Sequence, residues 1–287
     1  MSENQLTHAR VSSTTQIGTI TKYNFLNYFR ARRFYVMLAI IVMISGLLTG
    51  LVAYYKPVSF LAGDALGFYG AGWGSFANFV VVLSAAFFGG DAISGEFQNR
   101  TGYFLVPNPI RRGTILVGKY LAALGASSIV LGVFALVMMA NAFYYFPGGP
   151  LPGGFLQSLA YAWVYLLAAL ALAFAFSSLF KSSSISILMS VILLLFVFNV
   201  VDTVASIVVG IEPWFSITYG AGIVANVLQE PYPANHISQS VPIGGGRLFR
   251  IDTYNATIPE GVAILLVYFA VMTVVSLWLF QKKEFTS

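Results

Sequence analysis

Residues Gly113-Thr114-Ile115-Leu116-Val117-Gly118-Lys119 carry the G-x-x-x-x-G-K spacing of a phosphate-binding loop. Such a loop cradles phosphates with backbone N–H groups, follows a strand, and needs a Ser or Thr after the lysine to ligate magnesium. Here Tyr120 follows, and the stretch runs straight into a long apolar segment, so it predicts no nucleotide site. Acid–base or nucleophilic catalysis needs a paired nucleophile and base, or two facing carboxylates. The two histidines, His8 and His236, are far apart, and there is no cysteine, which removes disulfides, thiolate metal sites and a histidine metal cluster. Asp202 is the one carboxylate that stands clearly inside an apolar run, and the sequence offers it no obvious partner. The expectation is a chain with no catalytic residues, no metal site and no cofactor of its own.

The elements around these residues are dictated by solvent. Of 287 residues, 58% are hydrophobic and 9% are charged, against about 25% charged in soluble domains. So little polar surface implies lipid as the surroundings of most of the chain. Six stretches reach the ~20 apolar residues that cross ~30 Å of hydrocarbon: 34–55, 68–90, 115–146, 155–180, 184–210 and 260–281. Segments such as 166–176 and 185–201 are apolar on all sides, which favours helices over the alternating strands of a barrel. The predicted class is an all-α membrane protein with one membrane domain, 34–281, between an N-terminal segment, 1–33, and a tail, 282–287. The first span follows a long polar segment, unlike a cleaved signal peptide.

Lysine and arginine set the orientation. Of the 15 such residues, Lys56, Arg247 and Arg250 fall on one side, and the rest fall on the side that also holds both termini. Both termini are therefore expected in the cytoplasm. The net charge of +5 reads as basic flanks of membrane spans, with membrane lipid and not nucleic acid as the partner. Lys119 is expected to snorkel to the inner headgroups.

Three non-spanning segments carry further information. Residues 16–33 place Ile17, Ile20 and Tyr28 near helical spacing, with Lys22, Arg30, Arg32 and Arg33 as cations, the pattern of an amphipathic interfacial helix. Residues 91–113 form a polar excursion, too short for an enzyme domain and longer than a tight connection needs. Residues 211–259 begin with an apolar part, 213–228, suited to a short external re-entrant helical segment. They continue with Pro231, Pro233, Pro242 and Gly244-Gly245-Gly246, which predict an exposed loop. Asn255-Ala256-Thr257 is a glycosylation sequon in that loop.

Polar groups inside spans are candidates for a substrate path. Asn199, Asp202, Thr203 and Ser206 are placed by helical spacing on one face of span five, and Asn78 sits nearer the middle of span two. Asp202 lies about 27 Å of helix beyond Ser184, close to the outer interface. Gly46 and Gly50, one turn apart in span one, and Gly70, Gly72 and Gly74 in span two predict close helix packing, between spans one and two or across a dimer.

The run from Gly90 to Arg112, with Glu96, Thr101-Gly102, Pro107-Asn108-Pro109-Ile110 and Arg111-Arg112, followed by Gly118-Lys119-Tyr120, resembles the permease subunits of the type-2 ATP-binding-cassette exporter family. The segments 21–33 and 176–184 resemble that family's interfacial helix and its turn between spans four and five. The resemblance implies a permease dimer in a prokaryotic cell membrane, homomeric or heteromeric. Each copy would dock on a separate ATP-binding subunit that supplies ATP and magnesium. It implies a cytoplasmic coupling helix between spans two and three, with Glu96, Arg100, Thr101, Gly102, Pro107, Asn108, Pro109, Ile110, Arg111 and Arg112 at the contact. The competing functions are an ion-driven secondary transporter and a membrane assembly protein that transports nothing.

Overall fold

A chain crossing lipid must satisfy every backbone N–H and C=O within itself, and the uninterrupted apolar runs do so as helices. The computed structural model describes residues 12–56, 60, 63–99, 111–149, 151–243 and 247–282. Six helices among them are long and apolar enough to cross a membrane: Arg32–Tyr55, Ala65–Gln98, Arg112–Tyr145, Gly153–Leu179, Ser183–Val209 and Ile258–Lys282. They correspond to the six predicted spans, with span two extended at both ends. Span two contains a π-helical stretch at Gly70–Gly74, and span five contains two, Leu193–Val197 and Val204–Val209.

Burial divides the six. The most apolar windows of spans two, three and four are 67%, 50% and 61% buried, whereas spans one, five and six reach only 22%, 17% and 11%. The first three therefore form the centre. Small residues allow this: Ala168, Ala169, Ala171 and Ala173 of span four are fully buried, so backbones approach closely. Polar links then join spans through buried donors that find acceptors on neighbouring helices. Trp73 donates to Ser158 at 2.9 Å, Tyr120 to the Leu167 carbonyl at 2.7 Å, and Asn141 to Thr49 at 2.9 Å. Ser178 and Ser276 bond at 3.0 Å between spans four and six.

The N-terminal helix runs Ser13–Arg30 and stops at Ala31, whose ψ of 134° is extended, before span one begins. It rests on the chain's own spans. Thr21 donates to the Gly118 carbonyl at 3.2 Å, and Tyr28 to the Phe88 carbonyl at 3.0 Å. Gly118 is required for this approach, because a Cβ there would lie 2.6 Å from Ile20 Cγ2.

The glycine pairs behave differently from one another. A Cβ on Gly46 or Gly50 would meet nothing within 4 Å, so neither packs against span two within the chain. Gly72 faces Met138 of span three, and Gly74 faces Ala225 and Leu228, so span two's glycines serve partners other than span one.

Between spans five and six, the chain turns at Gly210 (φ +73°) and forms the short helices Ile217–Ala221 and Ile223–Asn226. Ile217, Ile223 and Val224 are fully buried, and the Val224 carbonyl accepts from Ser158 of span four. The remainder corrects the all-α expectation. Instead of an irregular loop, β1 (His236–Ile243) and β2 (Arg247–Tyr254) form an antiparallel hairpin with His236 opposite Tyr254 and Ile243 opposite Arg247. The Pro and Gly content pointed to a loop. A two-stranded ribbon has two free edges, however, and an edge tolerates Pro242 because no ladder bond from its nitrogen is needed there. Gly244–Gly246 lie outside the described residues.

Candidate functional site

The polar groups that matter most are gathered at the end of the bundle where span one begins, span two ends and span three begins. Asp91 terminates the long run of span two. Its carboxylate pairs with Arg33 at the start of span one and accepts from the Ser183 hydroxyl at the start of span five. Gly95, one turn on, makes room for it: a Cβ there would stand 2.7 Å from Asp91 Oδ1. The helical turn Ser94–Gln98 follows. Its entry is held by span four, where Ser177 Oγ accepts from the N–H groups of Ile93 and Ser94, each at 2.9 Å. Its exit is held by Gln98, whose side-chain oxygen accepts from the Ser183 N–H at 2.8 Å.

Glu96 projects from this turn to Lys119 of span three, Nζ to Oε1 2.6 Å. Lys119 also donates to the Ala92 carbonyl at 2.9 Å, and its side chain is only 8% exposed. The snorkelling expectation is therefore corrected: the ammonium turns inward to an ion pair and a carbonyl, which satisfy it better than a headgroup at the same depth. The near-match to a phosphate loop is helical from Arg112 onward, so its N–H groups bond along the helix and cradle nothing. Tyr28 closes the cluster. Burial foremost, and then the negative charge of Asp91, raise its pKa above the usual tyrosine range, with Arg33 offsetting part of the rise.

Of the predicted coupling residues, Arg100, Thr101, Gly102, Pro107, Asn108, Pro109 and Ile110 lie outside the described residues. Arg111 is exposed, and its carbonyl receives the first N–H groups of span three. Arg112 is not held ready for a partner's carboxylate. Its Nη1 donates to the carbonyls of Phe280 and Gln281, at 2.8 and 2.7 Å, at the end of span six. A helix C-terminus leaves its last carbonyls without intrahelical donors, and a guanidinium fits them. Arg33, Asp91, Lys119, Ser177 and Ser183 were not singled out as a cluster from the sequence. The readable signal is that each borders or begins an apolar run, where a polar residue ends up beside the ends of other spans.

The residues proposed for a path are separated. Asp202 accepts from Thr218 Oγ1 at 2.5 Å, while its Oδ1 is buried with no partner within hydrogen-bond geometry among the described residues. Tyr165 of span four and Tyr268 of span six lie within its electrostatic reach. Asn199 and Thr203 instead open into a shallow groove of about 280 Å³ on the outside of span five, where Asn199 donates to the Leu195 carbonyl at 3.0 Å. The shared face assumed for span five is thus split: on a helix, residues 202 and 203 point about 100° apart, and each follows its own neighbours. Ser206 is half-buried in the second π-helical stretch of that span. Asn78 is half-buried in span two, with its side-chain oxygen buried and unpartnered.

At the opposite end, Glu212 accepts from Tyr219 and, at 2.9 Å, from Asn235. On the hairpin, Asp252 accepts from His236 at 2.8 Å and from Arg250 at 3.0 Å, and His236 stacks on Tyr254 with ring centroids 4.6 Å apart. The sequon residue Asn255 donates to the Ala234 carbonyl at 2.9 Å.

No curated protein matches the chain. A family model described as ABC-2 family transporter protein matches residues 18–285, from the N-terminal helix through span six. With that match across nearly the whole length and six helices able to cross a membrane, the chain is a multi-pass membrane protein that belongs to the ABC-2 family of transporter permeases.

Proposed function

We propose that the chain is the membrane-spanning subunit of an ATP-driven exporter in a cell membrane, with both termini and the charged cluster facing the cytoplasm. Two copies, or this chain and a related one, form the path, and each binds a separate ATP-binding subunit through segment 91–113. ATP and magnesium belong to that subunit.

The observation that carries this reading is the bonding of the segment after span two. Through Asp91, Glu96, Gln98 and the N–H groups of Ile93 and Ser94, it is tied to spans one, three, four and five. Arg112 links its far side to span six. A force applied at Asn99 or at the exposed Arg111, which bracket residues 100–110, would therefore reach every span as a rigid displacement, because bonded helix ends transmit motion that a loose loop absorbs.

The second copy seats against spans one and five. Gly46 and Gly50 leave a shallow stripe on span one, flanked by exposed Met43 and Leu47, while Leu188 and Phe196 are exposed on span five. Asn78, Asn199, Asp202 and Ser206 are the candidate path residues, with Asp202 the strongest because a buried carboxylate oxygen is costly to leave unsatisfied.

The test is co-purification with a soluble ATP-binding subunit, followed by ATP hydrolysis in proteoliposomes. Arg111 is exposed and its side chain makes no hydrogen bond or ion pair among the described residues, so Arg111→Glu is expected to lower coupled hydrolysis about tenfold, the scale of one lost charge-assisted contact, while leaving the purified chain folded. Transport that survives ATP depletion and is abolished by an ionophore would instead establish an ion-driven carrier. An unchanged phenotype after replacing residues 100–110 with a neutral linker would establish a non-transporting assembly role.

A further inference from the structure

A cavity of about 510 Å³ opens between the N-terminal helix and the ends of spans two and three. Among the described residues its walls carry Arg33 and Lys119, Asp91 and Glu96, two charges of each sign. Around these four stand the amides of Asn24, Asn27 and Asn99, with Phe87 and Ala31 on the apolar side.

We propose that this cavity binds a phosphoethanolamine headgroup, held as part of a membrane phospholipid. The charge balance decides the class. A simple anion drawn to Arg33 meets the Asp91 carboxylate paired with it, and a simple cation drawn to Asp91 meets Arg33. A zwitterion whose phosphate and ammonium are a few ångströms apart satisfies both signs at once. The exposures fix the polarity of binding. Arg33 is 47% exposed and is the accessible cation, while Lys119, at 8%, is committed to Glu96 and Ala92. The phosphate therefore sits at Arg33, on the outer rim. Asp91 and Glu96, 22% and 25% exposed and less accessible than Arg33, receive the ammonium while keeping their bonds to Arg33 and Lys119, since a carboxylate accepts several hydrogen bonds. A primary ammonium suits that position because it donates three hydrogen bonds, whereas a quaternary one donates none.

The lipid source follows from what surrounds the mouth. The rim at Ala31 and Arg33 continues into Tyr35 and Val36 of span one, 58% and 51% exposed, a track for acyl chains. Tyr23 and Leu26 present exposed apolar surface on the N-terminal helix beside it. The site rests on the chain lying in a membrane and does not depend on the proposed ATP coupling.

Native mass spectrometry of the full chain, purified in detergent and offered equimolar phosphatidylethanolamine and phosphatidylglycerol of matched chains, tests the assignment. The expected result is about tenfold preferential retention of phosphatidylethanolamine, the scale of one hydrogen bond to a charged group. That preference is expected to vanish in Arg33→Ala. It is also expected to vanish in Asn27→Trp, which fills the mouth from an exposed position and leaves both ion pairs intact, so that loss of fold is not the explanation. Soluble glycerophosphoethanolamine at high concentration should displace the lipid, and inorganic phosphate should not. Equal retention of the two lipids overturns the proposal, as does a preference unchanged in Asn27→Trp. Displacement by inorganic phosphate alone would make it an anion site. Binding of glycerophosphoethanolamine to delipidated protein as tightly as the lipid would make the ligand a soluble solute. Protection of the rim by the ATP-binding subunit, without lipid preference, would make it a protein contact.

Discussion

The two ends of the helix bundle are built on different principles. At the end that holds Arg33, Asp91 and Lys119, ionic and charge-assisted contacts run between the tips of separate spans, and few of them are local in sequence. At the other end, the chain fills the space itself: the short helices Ile217–Ala221 and Ile223–Asn226 are wedged among spans two, four and six by apolar burial. Side-chain links such as Thr218 to Asp202 and Tyr219 to Glu212 join them to the preceding stretch of chain, and the Val224 carbonyl accepts from Ser158 of span four. Burial foremost, then its bond to Glu212, raises the Tyr219 pKa and keeps that hydroxyl a donor. A charged knot couples spans to one another. A wedged plug fills one end, where no ion pair joins two spans among the described residues.

If that contrast is right, breaking the knot costs more than breaking a link in the plug. Lys119→Met leaves Glu96 facing a buried apolar group and is expected to destabilise the chain by about 3 kcal/mol or more. Thr218→Val, which removes one donor to Asp202, should cost about 1–3 kcal/mol. Thermal unfolding in one detergent measures both. The double variant Glu96→Gln with Lys119→Met should recover part of the first loss, and a Lys119→Met protein as stable as Thr218→Val would remove the distinction.

The next effect sharpens how the knot is seated. Gly118→Ala places a Cβ against Ile20, so the N-terminal helix must shift off span three, at about 1–3 kcal/mol for overpacking. Adding Ile20→Ala should restore the wild-type midpoint. Lack of rescue would mean that the helix is not held where Thr21 meets Gly118.

The smallest effect belongs to the hairpin beyond the plug. The hydrogen bond from His236, foremost, and those from Ser238 and Arg250 lower the Asp252 pKa despite some desolvation. A lowered folded-state pKa contributes stability that is fully present above the unfolded value, about 3.9, and is lost as pH falls through the folded one. Spin labels at the opposed positions Ile237 and Thr253 should keep one separation from pH 7 to about 5 and spread only below about 4. Asp252→Asn should abolish the change. Spreading that persists in Asp252→Asn would assign the effect to another group.

Much of this architecture is legible along the chain. Runs of apolar residues report a lipid-facing helix because the bilayer imposes a length and forbids unpaired backbone, so the spans and the N-terminal helix follow from local pattern. The hairpin escaped because prolines and glycines outweighed the β-branched residues Ile237, Ile251 and Thr253, and because strand pairing depends on partners up to 18 residues away, as His236 and Tyr254 are. Within the candidate site, Glu96 is readable as a charged residue in a polar excursion, yet nothing in its neighbourhood names Lys119. Arg112 looks free in sequence and is spent on span six.

The amino-acid order alone therefore determined that this is a membrane chain of six spans with polar segments at 91–113 and 211–259, because hydrophobicity and helix length are properties of consecutive residues. Only the tertiary structure decided which charges meet. Arg33 and Asp91, Glu96 and Lys119, and Arg112 and the end of span six are joined across 23 to 169 positions of chain. Which helix tips adjoin is set by the packing of small residues in spans two and four, and that packing leaves no mark at the charged positions themselves.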